Sequence, residues 1–169
     1  MKPDSAYLNV ISMPAVHHYR DDPIEAEVVE LILQAGRASG SSRNTQPWTF
    51  FVARERETRD RIAPSVFAPE NLQTCALAVA IASNKGGFDI GRCAQNMMLG
   101  AWALGVGSVP NGVRYPEQLA ETISLREGET VSTILTFGYP LRRRLDLPAE
   151  ERLARLNRRS MDQVVRYLD

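Results

Sequence analysis

Residues Ser39 to Phe50 read Ser-Gly-Ser-Ser-Arg-Asn-Thr-Gln-Pro-Trp-Thr-Phe, and their types are those of a loop built to hold a ligand. The hydroxyls and amides of Ser41, Ser42, Asn44 and Gln46 can turn onto nearby backbone or onto a bound polar molecule. Gly40 admits dihedrals closed to other residues. Pro47 biases Gln46 toward an extended conformation and sets where a following strand begins. No nucleophile–base triad or pair of carboxylates stands out elsewhere in the chain. Cys75 and Cys93 have neither C-x-x-C spacing nor a His-rich partner segment, so neither a metal site nor a redox pair is implied. The chemistry on offer is hydrogen bonding to a held group. No catalytic side chain and no metal ligand is assigned.

A helix must lead into this loop and a strand must leave it. Pro23 is expected to open the helix at the position where proline is best tolerated, with Asp21 and Asp22 favourable beside it. Ile24, Val28, Leu31, Ile32 and Ala35 then mark one apolar face running to about Ala38. Trp48 to Ala53 reads as a buried strand. Arg54 to Ile62 alternates charges as a solvated helix face would, and Pro64 ends it. Cys75 to Ala82 reads as a second strand before a Ser-Asn-Lys-Gly-Gly turn.

From Asp89 to Leu104 the sequence predicts a helix apolar nearly all round, which needs cover on several sides, part of it from a second subunit. Gly105 to Gly112 reads as a loop. A short helix from Pro116 to Ile123 and a strand from Val131 to Phe137 follow, the strand stopped by Gly138 and Pro140. An Arg-rich tail ends in a short helix, Met161 to Leu168. Residues Met1 to Asp22 show no sustained period. Three strands with four or five helices in mixed order suit α+β or α/β.

The chain has 169 residues, enough for one domain with a sizeable core. Charges balance at a formal net charge of +0, which argues against disorder and against a strongly polyanionic partner. Arginine outnumbers lysine eighteen to two, but the arginines are scattered, as a genomic coding bias would leave them. Both cysteines sit in apolar stretches and read as small core residues. Neither a membrane span nor a basic, apolar leader with a cleavage site is visible, so a cytoplasmic location is expected. Arg142-Arg-Arg is too short a basic run, without aromatic neighbours, to suggest nucleic-acid binding.

The loop resembles the flavin-binding loop of the nitroreductase family, A-R-x-A-P-S-x-x-N-x-Q-P-W-x-F. Arg37, Ser41, Asn44, Gln46, Pro47, Trp48 and Phe50 match in register. Ser39 stands for the alanine and Gly40 for the proline. The likeness continues elsewhere. Asp89 through Leu99, running on to Gly107, resembles the family's central helix. Val131 through Pro140 resembles its strand ending in L-G-Y-P, and Asn157 through Val165 its closing segment. Tyr19 through Ile24 resembles the lead into its first helix. The stretch between Ala53 and Asp89 is short, implying a compact member with a reduced substrate-side excursion.

The resemblance implies an α+β, nitroreductase-like fold over residues 1–169 as a single domain. A central mixed β-sheet would be flanked by helices in an intertwined homodimer, with each flavin held by both chains. It implies FMN as cofactor, NADH or NADPH as electron donor, and a nitro compound, quinone or similar small molecule as acceptor, with no nucleic-acid or membrane partner. Carried over by position, Ser41, Ser42 and Asn44 would meet the phosphate, ribityl chain or ring edge, and Gln46 and Pro47 would line the ring. Val109, Pro110, Asn111 and Gly112 would set backbone against its reactive side. Arg158 and Arg159 would bind phosphate, although on residue type alone they read equally as a solvated basic tail.

One departure stands out. Where the family carries R-R-S-x-R, this chain has Met13, Pro14, Ala15, Val16 and His17. On residue type alone His17 and His18 read first as solvated or core-facing side chains. In the family's position, His17 would donate to the reduced flavin. Losing two charge-assisted bonds of ~1.5–3 kcal/mol each weakens FMN by ~100-fold or more unless Arg20, Arg37 or Arg43 compensates. The departure admits a rival, a non-catalytic or weakly flavin-binding scaffold of the same fold. Another is a specialised relative, a reductive dehalogenase or flavin-fragmenting enzyme, but the short chain leaves little room for the lid such enzymes carry.

Overall fold

The computed structural model describes residues 5–85, 87–141, 148, 151 and 154–168. At its centre is a four-stranded sheet in the order β1-β2-β4-β3. The strands are β1 (Thr49–Ala53), β2 (Leu77–Ser83), β3 (Gly107–Asn111) and β4 (Thr130–Gly138). All three pairings are antiparallel. The described strands therefore form an antiparallel sheet where a mixed one was expected. The α+β class holds.

β2 is buried along its whole length, because both of its faces carry a layer. Leu77, Val79 and Ile81 face one way with Leu135 and Phe137 of β4. They pack on helices α2 (Ala26–Arg37) and α5 (Phe88–Ala103). The intervening Ala78 and Ala80 face the other way, with Ile134. Their small side chains admit α3 (Arg56–Ile62), α4 (Pro69–Thr74) and α6 (Pro116–Ile123) through Ile62, Leu72 and Leu119. The period of two thus sorts large residues to one layer and alanines to the other.

α2 and α5 approach closely because glycines face the contact. A Cβ on Gly100 would lie 2.9 Å from that of Ala35, and one on Gly36 would lie 2.6 Å from Met97 Cγ. α5 buries one face, through Ile90, Cys93, Ala94, Met97, Ala101 and Trp102. Gly91, Arg92, Gln95 and Asn96 on its other side are exposed in the protomer. The expected all-round cover is therefore absent within one described chain.

Several bounds differ from expectation for local reasons. α2 begins at Ala26 with Glu25 as its N-cap, so Pro23 precedes the helix instead of opening it. β1 is an edge strand, half-buried at Thr49, Phe50 and Phe51, exposed at Val52 and buried at Ala53. Residues 107–111 form a strand despite Gly107 and Pro110. Edge position explains this: among the described residues the outer side of β3 has no ladder partner strand, so proline's missing N–H costs nothing there. α1 (Ser5–Ser12) and α4 were not expected. The final helix is one turn, Met161–Val164, with extended backbone at Val165. The Arg142–Arg144 run lies outside the described residues.

Candidate active site

The Ser39–Phe50 loop is pinned to the N-terminal half of α5. Asn96 Nδ2 donates to Ser39 Oγ at 2.8 Å, and Ser39 Oγ donates to Ala35 O at 3.3 Å. Gly40 leaves space for Arg92, since a Cβ there would lie 2.8 Å from the guanidinium. The Ser42 N–H donates to Asp89 Oδ2 at 2.9 Å. Inside the loop, the Gln46 N–H donates to Ser41 Oγ at 2.8 Å and the Asn44 N–H to Ser41 O at 3.0 Å. Ser41 therefore serves the loop's own shape.

Arg43, Asn44 and Gln46 have φ of 52°, 54° and 47°. Only asparagine of the three tolerates that region readily, and each residue there costs about 1–2 kcal/mol. Strain concentrated in one loop and held by a helix behind it is the pattern of a preorganised site. The side chains of Ser42, Asn44 and Gln46 are exposed. Beside them lies a cleft of about 290 Å³ that Gln46, Pro47, Trp48, Asn84, Lys85 and Glu129 help to line.

The other expected residues lie elsewhere. The backbone of residues 15–20 runs along the edge of β3 and the end of β4. The Val16 N–H donates to Ser108 O at 3.0 Å, and the Arg20 N–H to Tyr139 O at 2.8 Å. Two glycines permit this docking: a Cβ on Gly107 or Gly138 would lie 2.7 Å from Val16 Cγ2 or the Tyr19 ring. Burial raises the Tyr19 phenol well above its ordinary range, and its hydroxyl pairs with Thr136 Oγ1 at 3.2 Å.

Beneath this segment is a polar chain that the sequence did not disclose. His17 Nδ1 lies 3.3 Å from Asn71 Oδ1, and Asn71 Nδ2 donates to Asn111 Oδ1 at 2.7 Å. Asn111 Nδ2 in turn meets Ile134 O at 3.0 Å and Val109 O at 3.2 Å. Asn71 was missed because α4 is short. The signal available was an amide inside Pro-Glu-Asn-Leu-Gln-Thr, just before a buried strand. Of the four β3-side candidates, Val109 and Asn111 are buried while Pro110 and Gly112 are exposed. A second cleft, of about 600 Å³, is lined by residues 14–18 with Trp102, Pro140 and Leu141.

These two groups do not meet within one protomer. The loop adjoins β1 and the start of α5, whereas His17 and Val109–Gly112 adjoin β3, which follows the far end of α5. Three strand spacings make roughly 14 Å across the sheet, and sixteen helical residues make roughly 24 Å along α5. Arg158 and Arg159 are exposed on the tail, and Arg158 Nη1 donates to Leu156 O. Among the described residues, neither makes a hydrogen bond or ion pair with the loop or β3. Arg20 is committed to Asp22 at 3.1 Å and stacks on Tyr139, and Arg37 donates to Gln34.

Comparison with known proteins decides the relationship. The nitroreductase family model matches residues 15–73 and 80–139. This chain belongs to the nitroreductase family. A protein of Archaeoglobus fulgidus, provisionally named an NADH dehydrogenase/NAD(P)H nitroreductase, is 29% identical over 140 residues, covering 75% of this chain and 80% of its own. A crystal structure from Parabacteroides distasonis with the same provisional name superposes with a TM-score of 0.84 at 20% identity, over 98% of each chain. An FMN-dependent nitroreductase of Clostridium difficile gives 0.80 at 18% identity, over 95% of this chain and 98% of that one. The two structures establish the fold, and membership makes the chain an oxidoreductase. No helix among the described residues is long and apolar enough to cross a membrane.

Proposed function

We propose that this nitroreductase-family oxidoreductase uses FMN, acts as a homodimer in the cytoplasm, and passes electrons from NADH or NADPH to a nitro compound, quinone or similar small acceptor. The observation that carries this reading is the separation of the two polar groups. A strained loop with exposed Ser42, Asn44 and Gln46 side chains sits at one end of α5, and His17 with the Pro110–Gly112 backbone sits at the other. Each group alone is half of a cradle. A second copy, brought against the exposed face of α5, supplies the missing half.

The donor set suits a flavin. The ring and ribityl chain find amides, hydroxyls and main-chain groups, His17 offers a hydrogen bond to the reduced flavin, and positive charge for the phosphate rests on Arg158 and Arg159 of the tail. Bound flavin supplies the hydride and electron chemistry. The chain's own part is to orient, to exclude water and to offer hydrogen bonds. Ser41 keeps the loop closed on Gln46. Asp89 and Asn96 hold that loop against α5. Cys75 and Cys93 take no part, since both are buried and burial pushes both thiols up to about 11.

Absorbance of the purified protein with added FMN tests this reading, together with oxidation of NADH or NADPH in the presence of a quinone. Flavin bands that co-migrate with the protein, and turnover, are expected. A colourless protein without turnover overturns it in favour of a non-catalytic scaffold.

A further inference from the structure

The chain from His17 to β3 has a direction, and that direction dictates which face of the imidazole a ligand meets. Asn111, 3% exposed, places one side-chain atom near the carbonyl oxygens of Val109 and Ile134 at 3.2 and 3.0 Å. Both neighbours are acceptors only, so that atom is the amide nitrogen and the other is Oδ1. Oδ1 accepts a hydrogen at 2.7 Å from Asn71, 4% exposed, so the Asn71 atom facing it is Nδ2. The Asn71 atom left to face His17 is then Oδ1, 3.3 Å from Nδ1. An acceptor there requires a hydrogen on Nδ1. Flipping either amide would set a carbonyl oxygen against another acceptor in a buried place, leaving both without a donor.

We infer that Asn71 and Asn111 are positioning residues that hold His17 as its Nδ1–H tautomer, leaving Nε2 as the nitrogen that meets the ligand. This rests on the functional reading above for the identity of that ligand and on the geometry alone for the tautomer. Free imidazole side chains in water favour the opposite form, so the assignment differs from what an unconstrained exposed histidine would show. The neutral ring offers a lone pair to the ligand, and any second proton goes to Nε2, where it makes a charged donor for an anionic oxygen.

The test is the long-range 1H–15N correlation spectrum of the full-length, uniformly 15N-labelled apoprotein at about pH 9, where imidazole is neutral. His17 should show a protonated Nδ1 and a bare Nε2. In Asn71→Leu the ring should revert to the solution-preferred Nε2–H form, and FMN affinity, read by quenching of flavin fluorescence, should fall about fivefold to tenfold. An Nε2–H ring in the unsubstituted protein overturns the inference by itself, so it stays testable if Asn71→Leu fails to fold. An unchanged tautomer or unchanged FMN affinity in a folded Asn71→Leu protein also overturns it. Absence of FMN binding by the unsubstituted protein would instead overturn the functional reading and the ligand half of this inference. The spectrum would still decide the tautomer.

Discussion

Asp89 Oδ2 receives the backbone N–H of Ser42 at 2.9 Å across 47 residues of sequence. Asp89 stands in the first turn of α5, where a carboxylate is favoured by the helix's N-terminal field. It thereby turns the most regular element of the protein into the mount for its least regular loop. Asp89→Ala should cost about 1–3 kcal/mol in urea unfolding and weaken FMN, since a charge-assisted bond is lost and the strained loop is freed. Asp89→Asn keeps an acceptor and should fall between. Unchanged unfolding and unchanged FMN titration in both variants would remove the loop's anchor from the account.

Gly138 lies under the Tyr19 ring with no space for a side chain, a Cβ there meeting the ring at 2.7 Å. Gly138→Ala must displace either a buried ring or the end of β4, so a loss of about 1–3 kcal/mol is expected from denaturant unfolding. Gly91→Ala serves as the contrast within one protomer, because no atom of the same chain lies within 4 Å of a Cβ there and alanine favours a helix by ~1 kcal/mol, so its effect is read on the dissociated chain. Equal effects of the same sign at both positions would contradict the packing described.

The αL conformation of Arg43, with φ of 52°, predicts a stabilising substitution at an exposed place. Arg43→Gly should raise unfolding free energy by about 0.5–1.5 kcal/mol, since glycine bears no Cβ penalty there. A net loss of stability in the same measurement would show that the loop is not strained at this residue.

Burial raises both thiols from 9.0 to about 11, Cys75 and Cys93 alike. A raised folded-state value means the folded protein keeps its proton when the unfolded chain has lost it. The resulting stability is fully present below pH 9 and is lost as pH rises from 9 to 11. Denaturant midpoints should decline across that window, and less steeply in Cys75→Ala or Cys93→Ala. Neither thiol should react with a disulfide reagent at neutral pH until the protein unfolds. Rapid labelling of the native protein would refute the burial of these residues.

Much of this was legible in the chain because the local signals and the tertiary ones agree. Pro116 to Ile123 is helical over its expected bounds. β2 and β4 were visible as short runs bounded by turn residues, β2 apolar and alanine-rich and β4 rich in β-branched residues, and the loop as a cluster of small polar residues between a helix and a strand. β3 was not, because Gly105, Gly107, Pro110 and Gly112 are turn residues by every local rule. Those residues serve tertiary needs instead: Gly107 admits Val16, and Pro110 is tolerated at an edge. The strand direction throughout the sheet was equally hidden, being set by which helices cross over. Asn71 could not be singled out because its meaning lies in His17 and Asn111, which are distant from it in sequence.

In the proposed dimer the loop of one copy completes the β3-side group of the other. Two forms of the protein test this pairing, one carrying Ser42→Ala with Asn44→Ala and the other His17→Ala. They are co-expressed with different tags and the mixed dimer is isolated. Each parent homodimer should bind FMN about tenfold more weakly or worse. The mixed dimer should regain one site of unsubstituted affinity and keep one doubly impaired site, giving half the tight stoichiometry. A mixed dimer with two equally weakened sites, or an isolated protomer that binds FMN at full strength, would contradict it.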